Sequence, residues 1–321
     1  MIVLINASAF HNYHKIDNQY KQSKYFNHKN IRCWLSSNNK LTNLFFDRTG
    51  ILPSPFKTSY PFPLPLNEPY QPKTFEQIVS ERTKELVNTG KHIHLYWSGG
   101  IDSTCILASF FRENVDKKQY TVHFTHTSIV ESGTIFEEYV RNNCQWQFDK
   151  LSTSRPTTTE GIHLSGLLGN HIMGQGSTNH NFPFDTWEQP YTKYINVHPR
   201  MGEEFIEWCK PVMDVYPGKI QTFFDYQRFY LICFRWHYEQ FVGHTRQFKS
   251  TIFYDTIPFQ QWAFYSNEAP YGNGLMKLPM KKIIFDAFPD KYYYENKKTK
   301  PSQHLYGFTR WNFVLEDGSL I

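Results

Sequence analysis

The sequence predicts an α/β fold in which a parallel sheet is followed by a largely helical C-terminal half. Strand-like and helical segments alternate between residues 75 and 151, and such alternation is typical of parallel strands joined by crossover helices. Helical segments dominate from Glu203 onward. The most informative passage is Ser98-Gly-Gly-Ile-Asp-Ser103, where a glycine turn joins a predicted strand to a predicted helix.

Composition indicates a folded protein with a substantial core. The chain has 321 residues, of which 40% are hydrophobic and 18% aromatic, and this excludes a disordered chain or a disulfide-stapled miniature. A net charge of +5 is mildly basic, which favours phosphate-bearing ligands but makes nucleic acid a possible rather than a favoured partner. Five cysteines without a C-x-x-C motif predict reduced thiols, and no apolar run is long enough to span a membrane. We expect a soluble, cytoplasmic protein.

The N-terminal part differs from the rest of the chain. A short strand is predicted at Ile2 to Ile5, and the proline-rich stretch from Pro53 to Pro72 predicts an extended surface connector, because proline supports neither a helix interior nor a central strand. We therefore predict an N-terminal extension over residues 1–74 and a single domain over residues 75–321.

The elements of that domain follow from periodicity and turn signals. Apolar residues at helical spacing predict a helix from Phe75 to Leu86, which Asn88-Thr-Gly90 would end. The predicted strands are His92–Trp97, Tyr120–Thr125 and Trp146–Leu151. The other predicted helices are Cys105–Phe111, Thr134–Asn142, Glu203–Trp208, Phe223–Val242 and Pro279–Phe288.

The glycine turn has the chemistry of a phosphate cradle. Adjacent glycines let the backbone approach a ligand closely, and the helix that follows presents unpaired N–H groups. Ser98 and Ser103 would add hydroxyl donors, and Asp102 is explained if it holds Mg²⁺ against the phosphates. The alternative is a plain Gly-Gly turn in which Asp102 caps the helix.

The string Ser98 to Ser103 resembles the PP-loop, S-G-G-x-D-S, of the N-type ATP pyrophosphatases, which have an adenine nucleotide α-hydrolase-like core. Enzymes of that superfamily cleave ATP between the α and β phosphates, transfer AMP to a carboxylate or carbonyl oxygen, and let a nucleophile displace it. The resemblance implies ATP and Mg²⁺ as cofactors. It also implies a set of residues that bind ATP or pyrophosphate: Trp97, Ser98, Gly99, Gly100, Asp102, Ser103, Thr104, Thr125, His126, Gly166 and Lys277.

Further stretches resemble the synthetase domain of asparagine synthetases and their relatives. His163 to Gly174 is similar to the second loop of that branch, and Phe253-Tyr-Asp255 to its P-F-L-D segment. Lys277, twelve residues before Pro289, matches a lysine that contacts ATP phosphates. The resemblance implies that Lys277 and Asp102 are catalytic and that Asp102 and Asn170 hold the metal.

The second loop also departs from the family pattern. Leu167 replaces an acidic residue, Asn170 a metal-binding aspartate and His171 a glutamate. We expect a general base from His171 or from Glu131, and His171 is the better candidate because imidazole titrates near neutrality. Since Ile2 stands where the glutamine-hydrolysing relatives have a nucleophilic cysteine, glutamine is not the expected nitrogen donor.

These features predict an AMP-forming carbon–nitrogen ligase that acts on a small-molecule carboxylate or carbonyl compound and on ammonia or an amine. Two alternatives stay open. The chain could modify a nucleobase or tRNA with the same ATP chemistry, or it could be a degenerate member that binds nucleotide as a sensor.

Other polar side chains have competing interpretations. Cys105 lies on an apolar helix face, so buried packing is favoured over a nucleophilic role. The cluster Lys297-Lys298-Thr-Lys300 is either a phosphate contact or a solvated loop. A structural role is favoured over metal binding for a group of four histidines near the first two strands, namely His92, His94, His123 and His126.

Overall fold

The computed structural model describes residues 4–6, 47–52, 64–66, 68–149, 160–175, 184–195, 203–236, 250–272, 275–297 and 311–313. Residue contacts divide the chain into two compact units. The first is drawn from Met1–Leu64, Asp185–Tyr238 and His304–Ile321, and the second from Pro65–Phe184 and Glu239–Gln303. The units therefore alternate along the chain, whereas the sequence predicted one boundary near residue 74.

The second unit contains a five-stranded parallel sheet, which confirms the predicted α/β class. Its strands are β2 (Ile93–Tyr96), β3 (Tyr120–Phe124), β4 (Gln145–Phe148), β5 (Ile162–Ser165) and β6 (Thr251–Ile252), numbered after β1 (Leu4–Asn6) of the first unit. They lie in the order β4-β3-β2-β5-β6, and each neighbouring pair is parallel. The chain thus enters at the middle of the sheet, adds strands on one side, and then adds strands on the other.

The two faces of this sheet differ in chemistry. Leu95, Val122 and Leu164 are fully buried on one face, where the Tyr120 ring packs edge-on against Phe110 at 5.1 Å between ring centroids. Because side chains alternate along a strand, the neighbouring residues His94 and His123 lie on the other face. Parallel strands buried on both sides are usually apolar throughout, so this polar face is unusual.

Helices of the second unit begin with α1 (Phe75–Val87), close to the predicted span. Thr74 caps it, accepting a 3.2 Å hydrogen bond from the Gln77 backbone N–H, while the Gln77 side chain accepts one from the Thr74 backbone. This reciprocal arrangement satisfies two donors at the helix start. The next helix, α2 (Ile101–Arg112), begins directly after the glycine turn.

The helix predicted at Thr134–Asn142 was placed too late. The structure has α3 from His126 to Ile135, a π-helical turn at Phe136–Val140 and a final turn, α4, at Arg141–Asn143. Thr125 starts α3 with a capping box, which the sequence prediction overlooked. A kink at Ser132, where φ is −153° and ψ 51°, explains why the helical pattern was detected only beyond it.

The remaining elements of this unit are short. They are α5 (Gly169–Ile172), α9 (Ile257–Tyr265), β7 (Tyr271–Gly272), β8 (Leu275–Met276), α10 (Leu278–Ala287) and α11 (Lys291–Asn296), and a further short helix, α6 (Phe184–Trp187), follows Pro183 at the boundary between the units. β5 and α9 were not predicted as a strand and a helix, whereas α10 lies close to the predicted Pro279–Phe288.

The first unit is mainly helical. It has α7 (Glu203–Val215), which continues past the predicted end at Trp208 and through Pro211, and α8 (Phe223–Tyr230), extended by a π-helical turn at Leu231–Arg235. The predicted continuation to Val242 lies outside the described residues. β1 pairs antiparallel with β9 (Trp311–Phe313). β1 ends at Asn6, one residue after the predicted strand end at Ile5. Most of the proline-rich stretch lies outside the described residues.

The described part of the chain contains no helix that is both long and apolar enough to cross a membrane.

Candidate functional site

The glycine turn lies where the winding direction of the sheet reverses. β2 and β5 are hydrogen-bonded neighbours, but the chain leaves β2 toward β3 on one side and reaches β5 on the other. In open parallel sheets, the carboxyl ends of such strands form the crevice in which ligands bind. Here those ends carry Ser98-Gly-Gly100 and Gly166, so the sheet brings the glycine turn beside the second loop.

Ser98 and Ser103 fix the shape of the turn. The Ser98 backbone N–H donates to the Ser103 hydroxyl at 3.0 Å, and the two hydroxyl oxygens are also 3.0 Å apart. Ser103 Oγ in turn donates to the Gly100 carbonyl at 3.2 Å. The sequence predicted that these hydroxyls donate to a ligand, but in the structure they form hydrogen bonds within the turn. The remaining donors are the backbone N–H groups at the start of α2, which have no partner within the helix.

Gly99 has to be a glycine. Its φ of +77° is in the left-handed region, and a Cβ added there would lie 2.5 Å from the Ser128 carbonyl oxygen and 2.9 Å from Cβ of Glu131. Hydroxyls of α3 hold the same turn: Ser128 Oγ donates to the Trp97 carbonyl at 2.8 Å, and Ser132 Oγ to the Gly99 carbonyl at 2.6 Å. α3 therefore holds the turn at the point where α2 begins.

Lys277, the N-cap residue of α10, contacts Asp102 in the first turn of α2. Lys277 Nζ donates to Asp102 Oδ1 at 2.5 Å, and the lysine is only 2% exposed. Lys277 itself has a left-handed backbone, with φ of +55°. Gly100, not Asp102, is the N-cap residue of α2, so the alternative in which Asp102 serves as a helix cap does not hold. The carboxylate is instead directed at a cation.

The second loop packs against the same helix end. A Cβ on Gly166 would lie 3.0 Å from the Ser103 backbone nitrogen, and one on Gly169 would lie 2.6 Å from Asp102 Oδ1. The two glycines thus allow this loop to touch the PP-loop-like turn. Between them, Leu167 is half-buried and Leu168 is left-handed, with φ of +69°.

The two predicted residues that follow Gly169 differ in exposure. Asn170 is exposed, and its backbone carbonyl accepts a 2.7 Å hydrogen bond from the Gln175 N–H. His171 is buried, with 5% of its surface exposed. Among the described residues, no group of three or more histidine, cysteine, aspartate or glutamate side chains is arranged to hold a metal ion.

Trp97 and Thr104 lie beneath the turn. Both are fully buried, and the indole N–H of Trp97 donates to Thr104 Oγ1 at 2.9 Å. Their predicted contact with ATP would therefore be indirect, through the shape of the turn. Thr125 and His126, by contrast, lie at the carboxyl end of β3, where Thr125 is half-buried and His126 exposed.

Tyr254 and Cys105 lie on the buried side of α2. The Tyr254 hydroxyl donates to the Asp102 carbonyl at 2.8 Å. Burial raises the pKa of the Cys105 thiol to about 12, so the thiol stays protonated and unreactive near pH 7. This favours the packing interpretation of Cys105.

Lys297 and Glu131 form a second ion pair next to the turn. Lys297 Nζ donates to the Glu131 carbonyl oxygen at 2.8 Å and to its Oε2 at 3.0 Å. Both residues were candidates from the sequence, but their pairing was not predicted. They are 166 residues apart, so no local sequence pattern indicates the contact. Lys298 to Lys300 lie outside the described residues.

Histidines of the sheet form a packed cluster that includes His163, which was not among the four histidines grouped from the sequence. His94 Nδ1 and His123 Nε2 are 3.0 Å apart, and the His94 ring stacks on His163 at 4.9 Å between centroids. Burial, reinforced by the neighbouring imidazoles, lowers the pKa of His94 and of His123 to about 4. The His94 Nδ1 and His123 Nε2 atoms are thus occupied by their mutual hydrogen bond, and the rings pack together on one face of the sheet.

Comparison with known proteins does not assign a family to this chain. No protein-family model matches the chain, and no curated protein matches it.

Proposed function

We propose that this chain is a PP-loop ATP pyrophosphatase that binds Mg·ATP at the glycine turn and cleaves it to AMP and pyrophosphate. The observation that carries the proposal is the Asp102–Lys277 pair at the start of α2, a carboxylate and an ammonium held at a helix N-terminus beside the glycine turn. Helix N-termini bind phosphate oxygens, and a non-glycine residue with a left-handed backbone, such as Lys277, is typical of functional sites.

The residues present fit Mg²⁺ and a triphosphate. Mg²⁺ prefers oxygen ligands and is commonly held by one or two carboxylates together with substrate phosphates, so Asp102 is the residue that would hold it. When bound, Mg²⁺ supplies charge neutralisation at the phosphate oxygens. Gly99 lets α3 pack directly against the turn, which brings the hydroxyls of Ser128 and Ser132 onto its backbone carbonyls.

The residues of the chain divide the work. The backbone N–H groups at the start of α2 bind the departing pyrophosphate, and Lys277 neutralises the negative charge that develops on it. Asp102, released from Lys277, holds the metal. Ser98, Ser103, Ser128 and Ser132 keep the turn in one shape, so that little reorganisation accompanies binding.

The acceptor in this proposal is a carboxylate or carbonyl oxygen, and ammonia or an amine then displaces AMP. Leu167, half-buried next to Gly166, cannot accept a proton or a hydrogen bond from that amine. Apart from Asp102, the carboxylate that lies against the turn is that of Glu131, which makes it a stronger candidate for contact with the reacting groups than the buried His171.

A second candidate function is nucleotide binding without catalysis. It is favoured by the residue type at position 170: Asn170 supplies no carboxylate, so Asp102 has no second carboxylate in the two loops.

Pyrophosphate release tests the proposal. The protein is incubated with γ-labelled ATP, Mg²⁺ and a small-molecule extract, and the label is expected in pyrophosphate for the wild type and to be lost in Asp102→Asn. Label in orthophosphate would contradict cleavage between the α and β phosphates. Bound, uncleaved nucleotide would favour the second candidate.

A further inference from the structure

Glu131 is a carboxylate in a place where a phosphate-binding turn should not tolerate one. Its Cβ lies 2.9 Å from the position that a Gly99 side chain would take, and its Oε2 lies 3.9 Å from the corresponding position on Gly100. The negative charge therefore faces the same backbone that would receive phosphate oxygens. Like charges at this range repel each other unless a cation compensates them.

Lys297 is the cation that compensates Glu131 in the structure. Its ammonium forms two hydrogen bonds to this one residue, and the two side chains are only 15% and 25% exposed. The Tyr293 ring lies 5.8 Å from the same ammonium. Lys297 is thus held at the turn, but its charge is already used.

The two ion pairs at the turn carry no net charge between them. Lys277 is paired with Asp102 and Lys297 with Glu131, so two positive charges are matched by two negative ones. A bare polyphosphate would have to displace both carboxylates from their lysines and then lie beside them. A polyphosphate that carries a divalent cation provides the carboxylates with a new partner and leaves both lysines to the phosphates.

We propose that Glu131 makes the site selective for metal-chelated polyphosphate by rejecting the unchelated anion and reserving Lys297 for the chelate. The inference rests on the proposed function and adds to it a residue that determines which form of the nucleotide is bound. Glu131 acts here through its charge, because its backbone carbonyl also holds Lys297 and is retained in any variant.

The test is binding, measured by isothermal titration calorimetry with α,β-methylene-ATP, which cannot be cleaved between its α and β phosphates. Wild type is expected to bind this analogue with Mg²⁺ and only weakly in excess EDTA. Glu131→Gln should bind the unchelated analogue at least about tenfold more tightly than wild type, since the repulsive charge is gone and Lys297 is free. Glu137→Gln is the matched control, because Glu137 is paired with Arg141 in an exposed ion pair further along the same segment.

A second variant tests the same pair from the other side. Lys297→Gln leaves the Glu131 charge unopposed, so the unchelated analogue should stay weakly bound and the chelated one should bind less tightly than to wild type. Circular dichroism at 222 nm checks that both variants are folded.

Each outcome has one meaning. Equal affinity of wild type for the chelated and unchelated analogue overturns the inference and leaves the proposed function intact. So does a Glu131→Gln variant that binds the chelated analogue but is as weak as wild type in EDTA, or a Lys297→Gln variant that behaves as wild type. If wild type binds neither form, the proposed function itself fails.

Discussion

Lys277 and Asp102 are 175 residues apart in the chain, yet the lysine Nζ lies 2.5 Å from the aspartate Oδ1 at the first turn of α2. The lysine is nearly inaccessible to solvent, while the side chain of the aspartate is 20% exposed. A buried ammonium needs a partner, so the pair holds the start of α10 against the start of α2. The same geometry places a cation where phosphate charge would develop.

Lys277→Met should therefore slow pyrophosphate release by about two to three orders of magnitude, the usual effect of losing one oriented charge-stabilising group. Methionine retains an unbranched side chain without the charge. Lys282→Met is the matched control, because Lys282 lies on the same helix but is 61% exposed and pairs with Glu76 and Asp286. A rate for Lys277→Met equal to that of the control would exclude Lys277 from the mechanism.

Gly99→Ala should destabilise the protein more than Gly90→Ala. Both glycines have positive φ, +77° and +69°, so both variants incur backbone strain of about 1 kcal/mol. Only the Gly99 variant also drives a methyl group to 2.5 Å from a carbonyl oxygen, whereas nothing lies within 4 Å of the Gly90 position. Urea unfolding should show an additional loss of about 1–3 kcal/mol at Gly99. Equal losses at both sites would mean that α3 does not clamp the turn.

The histidine cluster predicts a loss of stability in mild acid. The pKa of His94 and of His123 is about 4 in the folded protein, against an ordinary value of 6.5, so the unfolded chain binds more protons between these values. Their contribution is fully present above pH 6.5 and is lost as the pH falls toward 4. His123→Asn should flatten the dependence of the unfolding free energy on pH in this window, compared with wild type and with the exposed-site control His126→Gln. An unchanged slope would show that the cluster does not resist protonation.

Aspartate, ammonia and Mg·ATP should not yield asparagine. Leu167 follows Gly166, which packs against the start of α2. An ammonium desolvated beside a leucine would lack a partner at a cost of several kcal/mol. Amino-acid analysis of the reaction mixture provides the measurement. Stoichiometric asparagine and AMP would show that the substitution is tolerated and that our interpretation of the second loop is wrong.

Local signals predicted the parts of the fold that are determined locally. The helix from Phe75 and the glycine turn each depend on residues within one or two turns of each other, and both were located closely. The next helix was predicted from Cys105, but α2 already begins at Ile101, with Gly100 as its N-cap residue. β5 was not predicted as a strand, because only four residues form it and the residues from His163 onward were assigned to the second loop by resemblance. Its assignment depends on pairing with β2, a contact that no local pattern reports.

The site shows the same division. Gly99, Gly100 and Asp102 were identified from one hexapeptide, and Lys277 from a resemblance. The clamping hydroxyls of Ser128 and Ser132 were missed, because serines in a helix usually have no such task and only the packing of α3 against the turn reveals theirs. The pairing of Glu131 with Lys297 likewise depends on tertiary structure alone.

Amide hydrogen exchange measures whether the glycine turn binds Mg·ATP. Exchange is followed by mass spectrometry on the full chain with and without saturating Mg·α,β-methylene-ATP. If the turn binds the nucleotide, exchange should be slower in peptides covering Ser98 to Thr104 and residues 166–170, with no such slowing in Lys277→Met at the same nucleotide concentration. Unchanged exchange across Ser98 to Thr104 in the wild type, or protection confined to another part of the chain, would contradict binding at the turn.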